Sequence, residues 1–251
     1  MKIACSSASF GRALSRGELT QLEWLDLCAN ELEVDGVVFD EAHFPRTDGE
    51  YLAQLKKLCA DLGLTVAALA AHDLFGAQGG RSLEVAIALG APLAIAAAPA
   101  ASDDPGAWGA FAESVKLRAR SAKQANVTIA LRNLAQTLCA SAADLQRLAK
   151  DVDSAWLRFA LAPAGFSAAD AGDALLSKAV IAIHPIADVE QFARTGDTSA
   201  AWLVQALARF RGFVVLERPE VDASERDAYH GALERFAALR ANALVASAFV
   251  R

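Results

Sequence analysis

Short apolar runs, each followed by a stretch with helical spacing, recur roughly every 30 residues along the whole chain. A run of three to seven mostly small or branched residues with no alternation suits a strand buried on both faces, and parallel sheets are built from such strands. The runs are Ile3–Cys5, Gly36–Phe39, Leu64–Ala70, Leu93–Ala98, Val127–Leu131, Leu157–Leu161, Val180–Ile183 and Gly212–Leu216. Helical patterns follow them at Leu19–Leu32, Tyr51–Leu62, Ser82–Leu89, Trp108–Ala125, Ser141–Lys150, Ala168–Ser177, Ser199–Phe210 and Ser224–Arg240. Strict alternation with right-handed crossovers predicts a (β/α)8 barrel, with residues 1–251 as one domain. The rival is an open doubly wound sheet, which needs a glycine-rich phosphate turn after an early strand. Ser6–Gly11, reading SSASFG, is not that turn.

Local signals sharpen several boundaries. Gly63 and Gly90 stand where left-handed C-caps are expected. Ser102, Asp103 or Asp104 is expected to cap the helix at Trp108, with Pro105 in its first turn, and Asp144 to join a cap with Ser141.

Composition narrows the function classes. With 54% hydrophobic but only 7% aromatic residues, the core is made mostly of Ala, Leu and Val. A net charge of -6 gives no general attraction to nucleic acid or to an anionic membrane, and no basic stripe with interleaved aromatics is present. Cys5, Cys28, Cys59 and Cys139 form no CxxC pair and read as buried thiols of a reducing compartment. The opening MKIACSS lacks a signal-peptide core, and Pro92–Ala101 is too short to span a bilayer, so a cytoplasmic location is expected.

Function in a parallel barrel collects at the C-terminal strand ends, because all eight converge on one mouth. Here those ends offer Ser6 or Ser7, Asp40 with Glu41 and His43, His72 with Asp73, Arg132 with Asn133, Ala162, His184 with Asp188, and Glu217 with Arg218. Glu217 closes the wholly apolar run Phe213–Leu216, and a carboxylate there is costly without a partner. Arg132 is a long, permanently charged cation at a buried strand tip, so it too must meet an anion, from the protein or from a ligand.

The segments MKIACSSASF, VDGVVFDE, LCADLGLTVAALAAH, TIALRN, IAIHP and VVLERPE together resemble the xylose isomerase-like barrels. These are sugar isomerases and epimerases, with the endonuclease IV type among their relatives. The resemblance covers nearly the whole chain. It implies one divalent metal held by a glutamate after the fifth strand, an aspartate after the sixth, a histidine or other ligand near the seventh and a glutamate after the eighth. The two glutamates would also move a proton on a sugar carbon.

Only part of that pattern is present. His184 matches the seventh-strand ligand and Glu217 the eighth-strand glutamate, but Arg132 stands on the fifth-strand position and Ala162 on the sixth. Two protein ligands hold a divalent ion weakly, and a guanidinium brings a fixed positive charge to its place. No cofactor is therefore expected, with a divalent metal (Mn, Mg or Zn) as the alternative. Arg132 is expected to pair with Glu217 across the mouth, which makes Glu217 a poor proton acceptor.

The resulting reading is a sugar isomerase/epimerase-like protein with a degenerate metal site that binds a small polyhydroxylated or acidic compound. Glu217 is its candidate catalytic group. Arg132, His184, His72, Asp40 and Arg218 are candidate substrate-binding groups. Ordinary structural roles compete at each position: a staple for Glu217, a pocket wall for His184, a charge-balanced rim for Arg218, and solvated loops for His72 and Asp40. Two other readings stay open, an active metal-dependent aldose-ketose isomerase or epimerase using Glu217, and a scaffold or regulatory subunit. A nuclease ranks last. The resemblance also allows a homodimer.

Overall fold

The computed structural model describes residues 2–162, 178–185 and 210–217, with Tyr229, Gly231, Leu233, Glu234 and Ala237; of 182–185 it describes the backbone only. Eight parallel strands pair in chain order, and the last pairs with the first, so the sheet closes into a barrel. They are β1 (Lys2–Ser6), β2 (Gly36–Asp40), β3 (Thr65–Ala70), β4 (Leu93–Ala97), β5 (Thr128–Arg132), β6 (Leu157–Leu161), β7 (Ala179–Pro185) and β8 (Phe213–Glu217). Every expected strand is found within two residues of its expected ends.

Between the strands the described residues form the α-helices α1 (Gly11–Arg16), α2 (Gln21–Asp26), α3 (Gly49–Asp61), α4 (Gly79–Leu89), α5 (Ala107–Ala125) and α6 (Ala142–Val152). Among the described residues no helix is long and apolar enough to cross a membrane. The stretch expected as one helix from Leu19 starts at Gln21, behind a capping box of Thr20 and Glu23, and ends in a π turn over Leu27–Glu31. Ser141 and Asp144 form the expected capping box of α6. Gly63 and Gly90 take left-handed conformations at φ 72° and 74°.

The start of α5 differs from expectation. Its N-cap is Gly106, and Pro105 lies before the helix. Ser102 and Asp104 spend their side-chain oxygens one turn earlier, accepting from the amides of Asp104 (3.1 Å) and Gly106 (2.8 Å). The expected helix 168–177 lies outside the described residues, as does 199–210 apart from Phe210. The described positions between 229 and 237 are helical.

Two apolar layers result. The larger lies between barrel and helices, around Trp24, Phe39, Leu55, Leu89, Ile129 and Phe159. The smaller fills the barrel itself with Ala4, Val38, Ala67, Ala68, Ile95, Ala130, Ala160, Ile181 and Val215. Five of those nine are alanines, so the interior is lined mainly by side chains of one carbon. At the N-terminal end the ring of Phe213 lies against Gly36, where a Cβ would stand 2.8 Å from it and 2.6 Å from the carbonyl oxygen of Thr65.

Register departs from one-to-one twice, with an extra residue on β3 at Ala67 opposite Val37/Val38, and one on β7 at Val180 opposite Phe159/Ala160. A one-residue insertion exchanges the faces of the residues beyond it. Past the β3 insertion, Ala68 faces inward and Ala70 pairs with Asp40.

All four cysteines are buried free thiols. Burial pushes the Cys59 and Cys139 thiols up to about 12, which leaves them protonated and unreactive.

Candidate functional site

Strand side chains alternate between the two faces of a sheet, so the residue two places beyond an interior residue also points inward. Val38, Ala130 and Val215 lie inside the barrel. Two places on, at the C-terminal tips, stand Asp40, Arg132 and Glu217. Three charged groups are thereby delivered to one mouth by strands whose other residues, Thr128 apart, are apolar.

Arg132 Nη1 donates to Glu217 Oε2 at 2.7 Å, with the two side chains 23% and 20% exposed. The pair spans the tips of β5 and β8, over the two intervening strands β6 and β7. The Arg132 Nε is buried and hydrogen-bonds to no described residue. Next in the chain, Asn133 is 2% exposed and grips the end of β6. Its Oδ1 accepts from the Ala162 amide (2.7 Å) and its Nδ2 donates to the Ala162 carbonyl (2.9 Å). On the other side, the buried Tyr229 hydroxyl donates to the carbonyl of Leu216, the residue before Glu217, at 3.0 Å.

A second group gathers over β1, β2 and β3. Asp40 is 7% exposed; its Oδ1 accepts from the Ala42 amide (2.9 Å) and lies 2.7 Å from His72 Nε2. Its own amide donates to Ser7 Oγ at 2.9 Å, and that oxygen lies 3.2 Å from His43 Nδ1. Glu41 accepts from the His72 amide through one carboxylate oxygen and from Ser82 Oγ (2.7 Å) through the other.

Burial raises the Asp40 carboxyl, but the hydrogen bonds from His72 and the Ala42 amide and the nearby His72 and His43 charges outweigh it, leaving it below the usual range. The hydrogen bond to Asp40 raises His72 against the opposing effect of burial, helped by the charges of Asp40 and Glu41.

The structure thus brings four candidates into two pairs, Arg132 with Glu217 and Asp40 with His72. The His184 backbone lies on β7, but its side chain, like Arg218 and Asp188, lies outside the described residues. Sequence reasoning placed Ser7 at the mouth without its partners, and missed Tyr229 and the grip of Asn133. Ser7 carries no signal beyond its place after a strand, and Tyr229 lies far along the chain from the strand it supports.

Among the described residues no three of His, Cys, Asp and Glu are placed to hold a metal ion. At the place where a divalent ion would need oxygen ligands, the described groups are the Arg132 guanidinium, the Ala162 methyl and the already engaged Glu217. Those three described groups offer an ion one carboxylate, which Arg132 already engages.

A family model described as xylose isomerase-like TIM barrel matches residues 27–239. No curated protein sequence matches the chain. Among solved structures, a D-psicose 3-epimerase with D-tagatose from Clostridium cellulolyticum H10 superposes with a TM-score of 0.76 at 17% identity, covering 97% of this chain and 99% of that one. A 3-keto-D-glucoside 4-epimerase from E. coli, in its apo form, gives 0.70 at 17% identity, with 96% and 99% covered. A xylose isomerase-like TIM barrel/4-hydroxyphenylpyruvate dioxygenase fusion protein gives 0.72 at 19% identity; 95% of this chain spans 42% of that longer protein. At such identities the likeness is one of fold.

Proposed function

The chain belongs to the xylose isomerase-like TIM barrel family, and from that premise we propose that its mouth binds a small polyhydroxylated or acidic carbohydrate-type compound without a divalent metal. The observation that carries this reading is the 2.7 Å contact between Arg132 and Glu217. A guanidinium neutralises the strand-eight carboxylate from the position where the resemblance calls for a metal-binding glutamate. The cation is therefore part of the chain, and the acid beside it is engaged. Such a pair grips hydroxyl and carboxylate oxygens by hydrogen bonding, but lacks the open coordination positions through which a metal polarises a carbonyl.

The second group supplies complementary chemistry. Asp40 and Glu41 accept hydrogen bonds as sugar hydroxyls require, and His43 and His72 can donate. The structural neighbours named for sugars, the psicose and ketoglucoside epimerases, favour a ligand of this size and polarity.

Metal analysis of the purified protein, paired with calorimetric titration of D-fructose, D-psicose and D-glucuronate after dialysis against EDTA, tests the reading. Binding that survives dialysis and weakens at least about tenfold in Arg132→Met is the expected result. One equivalent of Mn, Mg or Zn that resists dialysis, and on which binding depends, would overturn it. Arg132→Glu is expected to raise Mn2+ affinity by restoring an oxygen ligand.

A further inference from the structure

Asp40 and His72 stand apart from the Arg132–Glu217 pair, and their geometry is that of an oriented base. The Asp40 carboxylate is buried, held by the Ala42 amide, and its Oδ1 meets Nε2 of His72 at 2.7 Å. His72 is also held from behind, because its backbone amide donates to Glu41, which Ser82 secures in turn. Both ends of the residue are tied, yet the imidazole is 63% exposed and no described residue hydrogen-bonds its Nδ1. A plain staple between two loops has no need of an exposed second nitrogen. A base held by a carboxylate on one nitrogen, with the other facing solvent at a barrel mouth, is the arrangement general acid–base catalysis uses.

We propose that His72 transfers protons at this mouth, with Asp40 as its positioning residue, acting on the carbon-bound proton next to the carbonyl of a small hydroxy-carbonyl compound. Neutral His72 keeps its proton on Nε2, donated to Asp40, so Nδ1 is the base. Nδ1 takes the proton from carbon; the C–H electron pair forms the carbon–carbon double bond of an enediolate, and the carbonyl π pair moves to oxygen. The imidazolium so formed is balanced by the Asp40 carboxylate. Return of the proton to the same carbon regenerates the neutral imidazole; return to its neighbour does so too, with the hydroxyl proton passing between the two enediolate oxygens. No oxidant or reductant is needed.

This inference rests on the reading that the mouth takes a small polyhydroxylated compound, and two measurements separate the two. The full-length protein, dialysed against EDTA, is incubated in D2O with D-fructose, dihydroxyacetone or D-glucuronate. Deuterium entry beside the carbonyl is followed by NMR, and binding of the same probes by calorimetry. Exchange into at least one bound probe is expected, and at saturating probe it falls about 100-fold in His72→Asn. Asp40→Asn is expected to slow exchange and to move the acid limb of the pH–rate profile to lower pH. The limb follows His72, whose other charged neighbours, Glu41, His43 and Asp73, are unchanged. A purely structural Asp40 would alter stability without moving that limb. Wild-type exchange in His72→Asn overturns the proposal, as does the absence of exchange in every probe that binds. If no probe binds, the binding reading falls with it.

Discussion

Asn133 holds Ala162 by both polar atoms of its backbone, accepting from the amide at 2.7 Å and donating to the carbonyl at 2.9 Å. A side-chain amide carries its donor and its acceptor on separate atoms, so it can pair with both polar atoms of one residue. It ties the ends of β5 and β6 one residue beyond Arg132, and so fixes the base from which the guanidinium reaches across to Glu217. Asn133→Ala removes both bonds in a site that is 2% exposed, and is expected to cost about 2 kcal/mol in urea unfolding. Asn133→Asp is expected to cost more, because it cannot donate and it buries a charge.

The Arg132–Glu217 pair is partly screened, at 23% and 20% exposure. Arg132→Met strands the carboxylate and is expected to lower stability by roughly 1 to 3 kcal/mol. The double replacement Arg132→Met with Glu217→Leu is expected to recover most of that loss, since neither group is then left alone. A double-mutant cycle by urea denaturation checks both outcomes.

Stability acquires a pH signature from Asp40 and His72. The Asp40 carboxyl is depressed in the folded state, so its contribution is present above the ordinary value of 3.8 and is lost as pH falls through the folded value. His72 is raised, so its contribution is complete below 6.5 and is lost as pH rises through the folded value. The difference in urea midpoint between wild type and His72→Gln is therefore expected to be largest between pH 3.8 and 6.5, and to shrink on either side.

At the other end of the barrel, Gly36 gives its side-chain space to Phe213. Gly36→Ala would place a Cβ 2.6 Å from the Thr65 carbonyl oxygen and 2.8 Å from the ring, and is expected to destabilise by about 2 kcal/mol. Phe213→Leu in that background relieves the ring contact but not the backbone one, so it is expected to restore only part of the loss in thermal unfolding.

The fold was legible because buried parallel strands announce themselves as short, mostly apolar runs, and eight of them alternated with helical spacing. Boundaries were less so. Asp104 looked like a helix cap by type, but its oxygen is taken by Gly106 one turn before α5 begins. In the mouth, Arg132 and Glu217 could be paired from sequence because two opposite charges at buried tips have few other partners. The grouping of Ser7, Asp40, His43 and His72 could not, since it depends on three strands meeting and on the inserted Ala67 that sets the register of β3 against β2. Tyr229 was beyond reach for a similar reason: its bond to Leu216 depends on how the last helix docks.

Under the proposed metal-free binding, the guanidinium at the tip of β5 also bears on where such a protein can work. A loosely bound ion leaves when its supply fails and is swapped when a tighter competitor arrives, but a charge joined to the polypeptide by covalent bonds does neither. Starvation for trace elements, or flooding with the wrong one, leaves Arg132 as it was.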